Sequence, residues 1–184
     1  MEVRYHSFIG DFFWGCFRKE TMDDVISVLF VCIHNAARSR MAEALLRDLG
    51  GPRFEVTSSG YEPQEVNPIV VEALDLVGLK VAHPGPQPSV FDLFKAGRLF
   101  GYVISVCDYE HGQRCPLFPG VTERLSWSFP DPSTFTGSHN ERLARVVEVR
   151  DAIQDSIEAW LETLSITPTH TRAKASQARK EVTK

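Results

Sequence analysis

The chain has 184 residues, 43% hydrophobic and 24% charged, enough for one globular domain with its own core. Its formal net charge of −4 leaves no overall footprint for nucleic acid, and no apolar run approaches the roughly 20 residues that cross a bilayer. The opening residues hold Phe8, Ile9, Phe12, Phe13, Trp14 and Phe17. Asp11 interrupts them, and they lack a basic start and a small-residue cleavage site, so a cytoplasmic protein is expected. In a reducing compartment its four cysteines, Cys16, Cys32, Cys107 and Cys115, would serve catalysis, metal binding or packing rather than stapling.

Residues 26–32 are almost continuously apolar, as a strand buried on both faces should be. After a short loop, Met41, Ala42, Leu45, Leu46 and Leu49 recur at helical spacing, and Gly50-Gly51 stops that helix. Residues 54–58 read as a second strand. Asn67-Pro68 opens a second amphipathic helix carrying Ile69, Val70, Ala73, Leu74 and Val77, which Gly78 follows. Val90 to Phe94 forms a short helix, and Tyr102 to Cys107 a third strand. Leu125, Trp127 and Phe129 alternate as a fourth strand ending at Pro130-Asp131-Pro132. A long last helix is expected over 139–164, with Leu143, Val146, Val147, Ile153, Ile157, Trp160 and Leu161 facing the core.

Strands alternating with helices imply an α/β fold with a parallel, doubly wound sheet. In such sheets functional groups collect beyond the carboxyl ends of the strands. If the first and third strands are neighbours, as in the flavodoxin-like order, Cys32, Cys107 and Asp131 share one rim. The ends are expected to be peripheral: residues 1–24 as an extension, with Met22 an alternative start and Cys16 incidental, and residues 166–184 as a basic, solvated tail. The domain proper is expected over 25–165.

The segment Cys32-Ile33-His34-Asn35-Ala36-Ala37-Arg38-Ser39 is the most informative. A cysteine, five residues and an arginine lie between a buried strand and a helix, so backbone N–H groups can curl inward beside the positive end of the helix dipole. A tetrahedral dianion fits that cradle, and Arg38 can grip two of its oxygens through a bidentate fork. The electropositive setting favours the reactive thiolate of Cys32. Ser39 is positioned to donate to the sulfur, Asn35 to brace the loop, and His34 to serve the loop rather than the chemistry. Cys107, His111 and Cys115 invite a metal reading, but no fourth ligand is apparent, so no metal is expected.

The run Val28-Leu-Phe-Val-Cys-Ile-His-Asn-Ala-Ala-Arg-Ser-Arg-Met-Ala-Glu-Ala44 resembles the low-molecular-weight tyrosine phosphatase superfamily, and more closely its arsenate reductase branch. Ser59-Gly60, Asn67-Pro68, Val106-Cys107-Asp108, Cys115-Pro116 and Asp131-Pro132 extend the likeness over about residues 25–163. The resemblance implies a three-layer, four-stranded parallel sheet with helices on both faces. It also implies a thiol–arsenate adduct on Cys32, attack by a second cysteine to release arsenite, and a third cysteine that resolves the disulfide. Cys107 and Cys115 match those two partners, with thioredoxin or another thiol as reductant and no further cofactor. Asp131 matches the family's general acid, which keeps a phosphatase reading open, while a non-catalytic oxyanion module is a third. Ser133, Thr134 and Phe135 stand where phosphatases usually carry tyrosine, which favours the reductase. Arg40 stands where phosphatases usually carry Pro and reductases Gln, and supports neither.

Overall fold

A strand with apolar residues on both sides needs a layer of protein on each. In the computed structural model, which describes residues 25–108, 118 and 121–169, the first apolar run becomes β1 (Ile26–Cys32) and lies inside the sheet. It pairs in parallel with β2 (Phe54–Gly60) on one side and β3 (Phe100–Ser105) on the other. β4 (Val121–Ser126) lies outside β3, giving the all-parallel order β2-β1-β3-β4. The expected adjacency of the first and third strands is therefore present.

Alternation along β1 separates the two packing layers. Val28, Phe30 and Cys32 face the larger core with α1 (Arg38–Gly50), α2 (Pro68–Asp75) and α4 (His139–Thr163), whereas Leu29 and Val31 face α3 (Val90–Lys95). The larger core includes an aromatic cluster in which Trp160 of α4 meets Tyr102 at 5.0 Å and Phe54 at 5.8 Å between ring centroids. Arg150 of α4 is fully buried and donates to the carbonyl of Ala73, tying α4 to α2. No described helix is long and apolar enough to cross a membrane.

Several boundaries differ from those read from periodicity. α1 begins at Arg38 rather than near Met41, because the loop feeds directly into the helix. β4 ends at Ser126 although the alternation runs on to Phe129. Its ladder to β3 stops at Ser105↔Ser126, after which only Trp127 N–H reaches back, to the Ser105 carbonyl at 2.8 Å. Burial alternates beyond the point where a pairing partner ends. β3 likewise ends at Ser105, two residues before Cys107.

The domain also runs past residue 165. Ile166 is buried in the larger core. Thr169 donates its N–H to the Leu49 carbonyl at 2.8 Å and its hydroxyl to the Asp48 carbonyl at 2.7 Å. These four residues close over the C-terminal end of α1, so a boundary drawn from the loss of helical periodicity falls too early. Replacing Ile166 by Ala removes buried volume from that closure and should cost about 2–4 kcal/mol, read as a lower urea midpoint with an unchanged slope.

Candidate active site

Cys32 ends β1 and is 2% exposed. From there the chain turns through residues 33–37 into α1, whose N-cap is Ala37. No side chain caps this terminus, whereas Asn67, Ser89 and Ser138 cap α2, α3 and α4. The first N–H groups of α1 thus keep their capacity for a ligand.

Each loop carbonyl is held from outside. Ile33 O accepts from Glu62 N–H at 3.0 Å, His34 O from Gln64 N–H at 2.9 Å, Ala36 O from Asn67 N–H at 2.9 Å and Ala37 O from Met41 N–H at 2.9 Å. Asn35 O accepts from Arg40 Nε at 2.9 Å. A trans peptide places its C=O and the next N–H on opposite sides. Turning five carbonyls outward therefore turns the amides of residues 34–38 toward the cysteine. The Asn35 N–H, 3.1 Å from Cys32 Sγ, does point that way. Asn35 itself sits at φ 48°, a left-handed conformation that Asn tolerates better than most residues.

A buried polar chain fixes the direction of hydrogen bonding at the sulfur. Glu43 holds Arg47 at 2.9 Å and accepts the Ser58 hydroxyl at 2.6 Å. That proton being committed, Asn35 must donate from Nδ2 to Ser58 Oγ at 3.0 Å, and its second amide hydrogen goes to Ser39 Oγ at 2.8 Å. The Ser39 hydroxyl is left with its own proton for Cys32 Sγ, 3.0 Å away. Two donors thus converge on the sulfur, the arrangement a thiolate requires.

Arg38, 2% exposed, reaches across to the segment after β4. Its Nη2 lies 2.6 Å from Asp131 Oδ2, and its Nη1 donates to Phe129 O at 3.4 Å. Asp131 Oδ1 accepts the N–H and hydroxyl of Ser133 at 3.0 and 2.8 Å. Both carboxylate oxygens therefore accept hydrogen bonds, and Asp131 orients Arg38.

Cys32, His34, Ala36, Ala37, Arg38, Gln64, Asn67, Asp131 and Ser133 line a cleft of about 50 Å3, several times the roughly 10–15 Å3 that one water needs. Ile33 and Asn35 turn their side chains away from it, Asn35 into the core. His34 is half-exposed at the rim, with Nδ1 3.3 Å from the Gln64 amide. Cys107 is fully buried two residues beyond β3 and outside the cleft lining. Its sulfur is in a disulfide, while Cys32 is free. Cys115 and His111 lie outside the described residues.

Several contributors escaped the sequence reading. Gln64 carries no motif, and Ser133 stands out only for occupying a position where phosphatases usually carry tyrosine. Glu43 and Ser58 look like an ordinary helix acid and strand serine until the fold joins them. Arg40 is 1% exposed and spends three donor directions on the carbonyls of Asn35, His83 and Gly85. Burial pushes its guanidinium below the ordinary arginine value, with Glu43 and Cys32 acting in the opposite sense. Its signal was the departure at position 40 itself.

A family model for low molecular weight phosphotyrosine protein phosphatases matches residues 27–169. A Shouchella clausii arsenate reductase is 31% identical over 136 residues, which are 74% of this chain and 95% of the relative. A solved arsenate reductase in the phosphate binding state superposes with a TM-score of 0.58 at 25% identity, over 75% of this chain and 98% of its own. The Corynebacterium glutamicum thioredoxin-dependent arsenate reductase gives a TM-score of 0.50 at 31% identity, over 76% of this chain and 65% of its own.

The close approach of β2 to the loop supplies a test. A Cβ on Gly60 would stand 2.7 Å from the Ile33 carbonyl oxygen and 2.9 Å from the Asn35 nitrogen, atoms of a backbone tied in place. Gly60→Ala should weaken inorganic phosphate binding by about tenfold or more and destabilise the fold by about 1–3 kcal/mol, measured by titration calorimetry and urea unfolding.

Proposed function

The chain belongs to the low molecular weight phosphotyrosine protein phosphatase family, and we propose that it works there as an arsenate reductase, turning arsenate into arsenite through sulfur chemistry at Cys32. The observation that carries this reading is the division of sulfur states: Cys32 is free in an anion cradle while Cys107 is oxidised. A phosphatase needs the first and has no use for the second.

In this reading the amides of residues 34–38 and the Arg38 fork hold the oxyanion, with Ile33, His34, Asn35, Ala36, Ala37 and Ser39 completing the loop. The Cys32 thiolate attacks arsenic, an S–As bond forms, and an arsenate oxygen leaves as water once protonated. The Cys107 thiolate then attacks Cys32 Sγ. A disulfide forms, the S–As bonding pair stays with arsenic, and arsenite departs in the trivalent state. Cys115 attacks Cys107, releasing Cys32 as a thiol and leaving a Cys107–Cys115 disulfide for a thioredoxin-type dithiol to reduce. The relay supplies both electrons, so the scheme calls for no metal or other cofactor. A cytoplasmic setting suits it, because the cycle depends on a reducing thiol pool.

Asp131 supports the same choice. A general acid for ester cleavage must present a proton to the leaving oxygen, yet here Oδ2 is taken up by Arg38 and Oδ1 by Ser133. Orienting Arg38 is the role that geometry favours. A specific observation also keeps hydrolysis as a residual activity: Asp131 does line the cleft with Cys32 and Arg38.

Arsenate-dependent NADPH consumption in the presence of thioredoxin and its reductase tests the proposal. Cys32→Ser should lower both reduction and aryl phosphate hydrolysis by at least about a thousandfold, since no base adjoins the hydroxyl. Cys107→Ser and Cys115→Ser should each stop multiple-turnover reduction while leaving aryl phosphate hydrolysis near the parent rate. Parent-like reduction by either relay variant would overturn the scheme.

A further inference from the structure

Four of the five outward-turned loop carbonyls are held by backbone N–H groups, which any residue would supply. The fifth, that of Asn35, is held by the Arg40 side chain. This is the peptide at the loop's left-handed residue. Its other face carries the N–H of Ala36, a residue that lines the cleft. We infer that Arg40 is a positioning residue for the oxyanion: by holding the Asn35 carbonyl outward it presents the Ala36 amide to the ligand, and through His83 and Gly85 it anchors that amide to the loop before α3. The inference rests on reading residues 32–38 as an oxyanion site.

The chemistry of the side chain favours this over a packing role. Arg40 Nη1 donates to His83 O at 3.2 Å and Nη2 to Gly85 O at 2.7 Å, so one planar group bridges two loops in three directions. A lysine ammonium could not span those carbonyls in one plane. Among the described residues no carboxylate lies within ion-pair distance of Arg40, and it is 1% exposed. A buried cation satisfied by carbonyl dipoles alone is costly, and an apolar side chain of similar length would stabilise the core at least as well.

The test compares the parent with Arg40→Met, Arg40→Gln and Arg40→Lys. Inorganic phosphate binding is read by titration calorimetry, arsenate KM and kcat by the coupled assay, and unfolding without ligand by melting. The Met and Gln variants should bind phosphate about tenfold or more weakly, as expected for a misaligned charge-assisted donor set. The same factor should appear in KM, with kcat changed much less. Arg40→Lys, which keeps the charge but not the fork, should fall between. Lower melting temperatures with parent-like phosphate affinity, or a loss confined to kcat, would overturn the inference. Should a variant fail to fold, the parent decides: saturating phosphate must shift the Ala36 amide resonance, and an unmoved Ala36 signal overturns the inference outright. The two readings fail separately. If the parent binds phosphate and the variants lose it, but arsenate is not reduced, the reductase proposal falls and Arg40 keeps its role. If the parent reduces arsenate and the variants bind phosphate normally, only the Arg40 role falls.

Discussion

Everything at this site depends on peptide planarity applied five times in succession. A carbonyl cannot be tied outward without its partner N–H turning inward, so five outside donors convert an ordinary strand-to-helix connection into a ring of inward dipoles. Three of those donors, the amides of Glu62, Gln64 and Asn67, come from the connection between β2 and α2. They reach the loop because β2 runs parallel to β1 in a register that ends with Cys32 opposite Gly60. The sheet therefore does more than end near the cysteine: its register delivers the chain that shapes the loop. A side chain at Gly60 has no room, because its Cβ would run into the loop backbone at Ile33 and Asn35.

Charge is distributed around that ring with equal economy. Arg38 faces the cleft and is steered by Asp131, while Arg40 faces away and is steered by carbonyls alone. Behind the loop, Ser58 gives its proton to Glu43, so Asn35 donates to both Ser58 and Ser39 and the Ser39 proton is left for the sulfur. The carboxylate thus sets the direction of hydrogen bonding at the sulfur from a distance, through the groups between them. The surrounding apolar core of Val28, Phe30, Met41 and Leu45 keeps those bonds out of water, where they count most.

The larger core also takes in a second cysteine. Cys107 emerges from β3 into a fully buried position, on the strand next to the one that ends in Cys32. Neighbouring parallel strands end on the same rim, so topology carries Cys32 and Cys107 to the same edge of the sheet.

Much of this was legible in the residues alone. The apolar run ending at Cys32, the spacing from Cys32 to Arg38 and the Asp131-Pro132 turn disclose strand, cradle and rim, because periodicity and turn chemistry are local properties. Asn35 was readable as a brace and Ser39 as a donor to the sulfur for the same reason. The partners were not. Nothing near Glu43 or Ser58 in the chain announces that they share one line of hydrogen bonds, and Arg40 reads as an anomaly until the carbonyls of His83 and Gly85 fold over it. Ile166 and Thr169 look like the start of a tail because helical periodicity has stopped, yet they close over α1. The order of residues determined which elements form and set Cys32 and Arg38 between a strand and a helix. Tertiary structure alone decided which distant donors hold the loop open, because a hydrogen bond between residues 40 and 85 exists only once the chain has been brought back on itself.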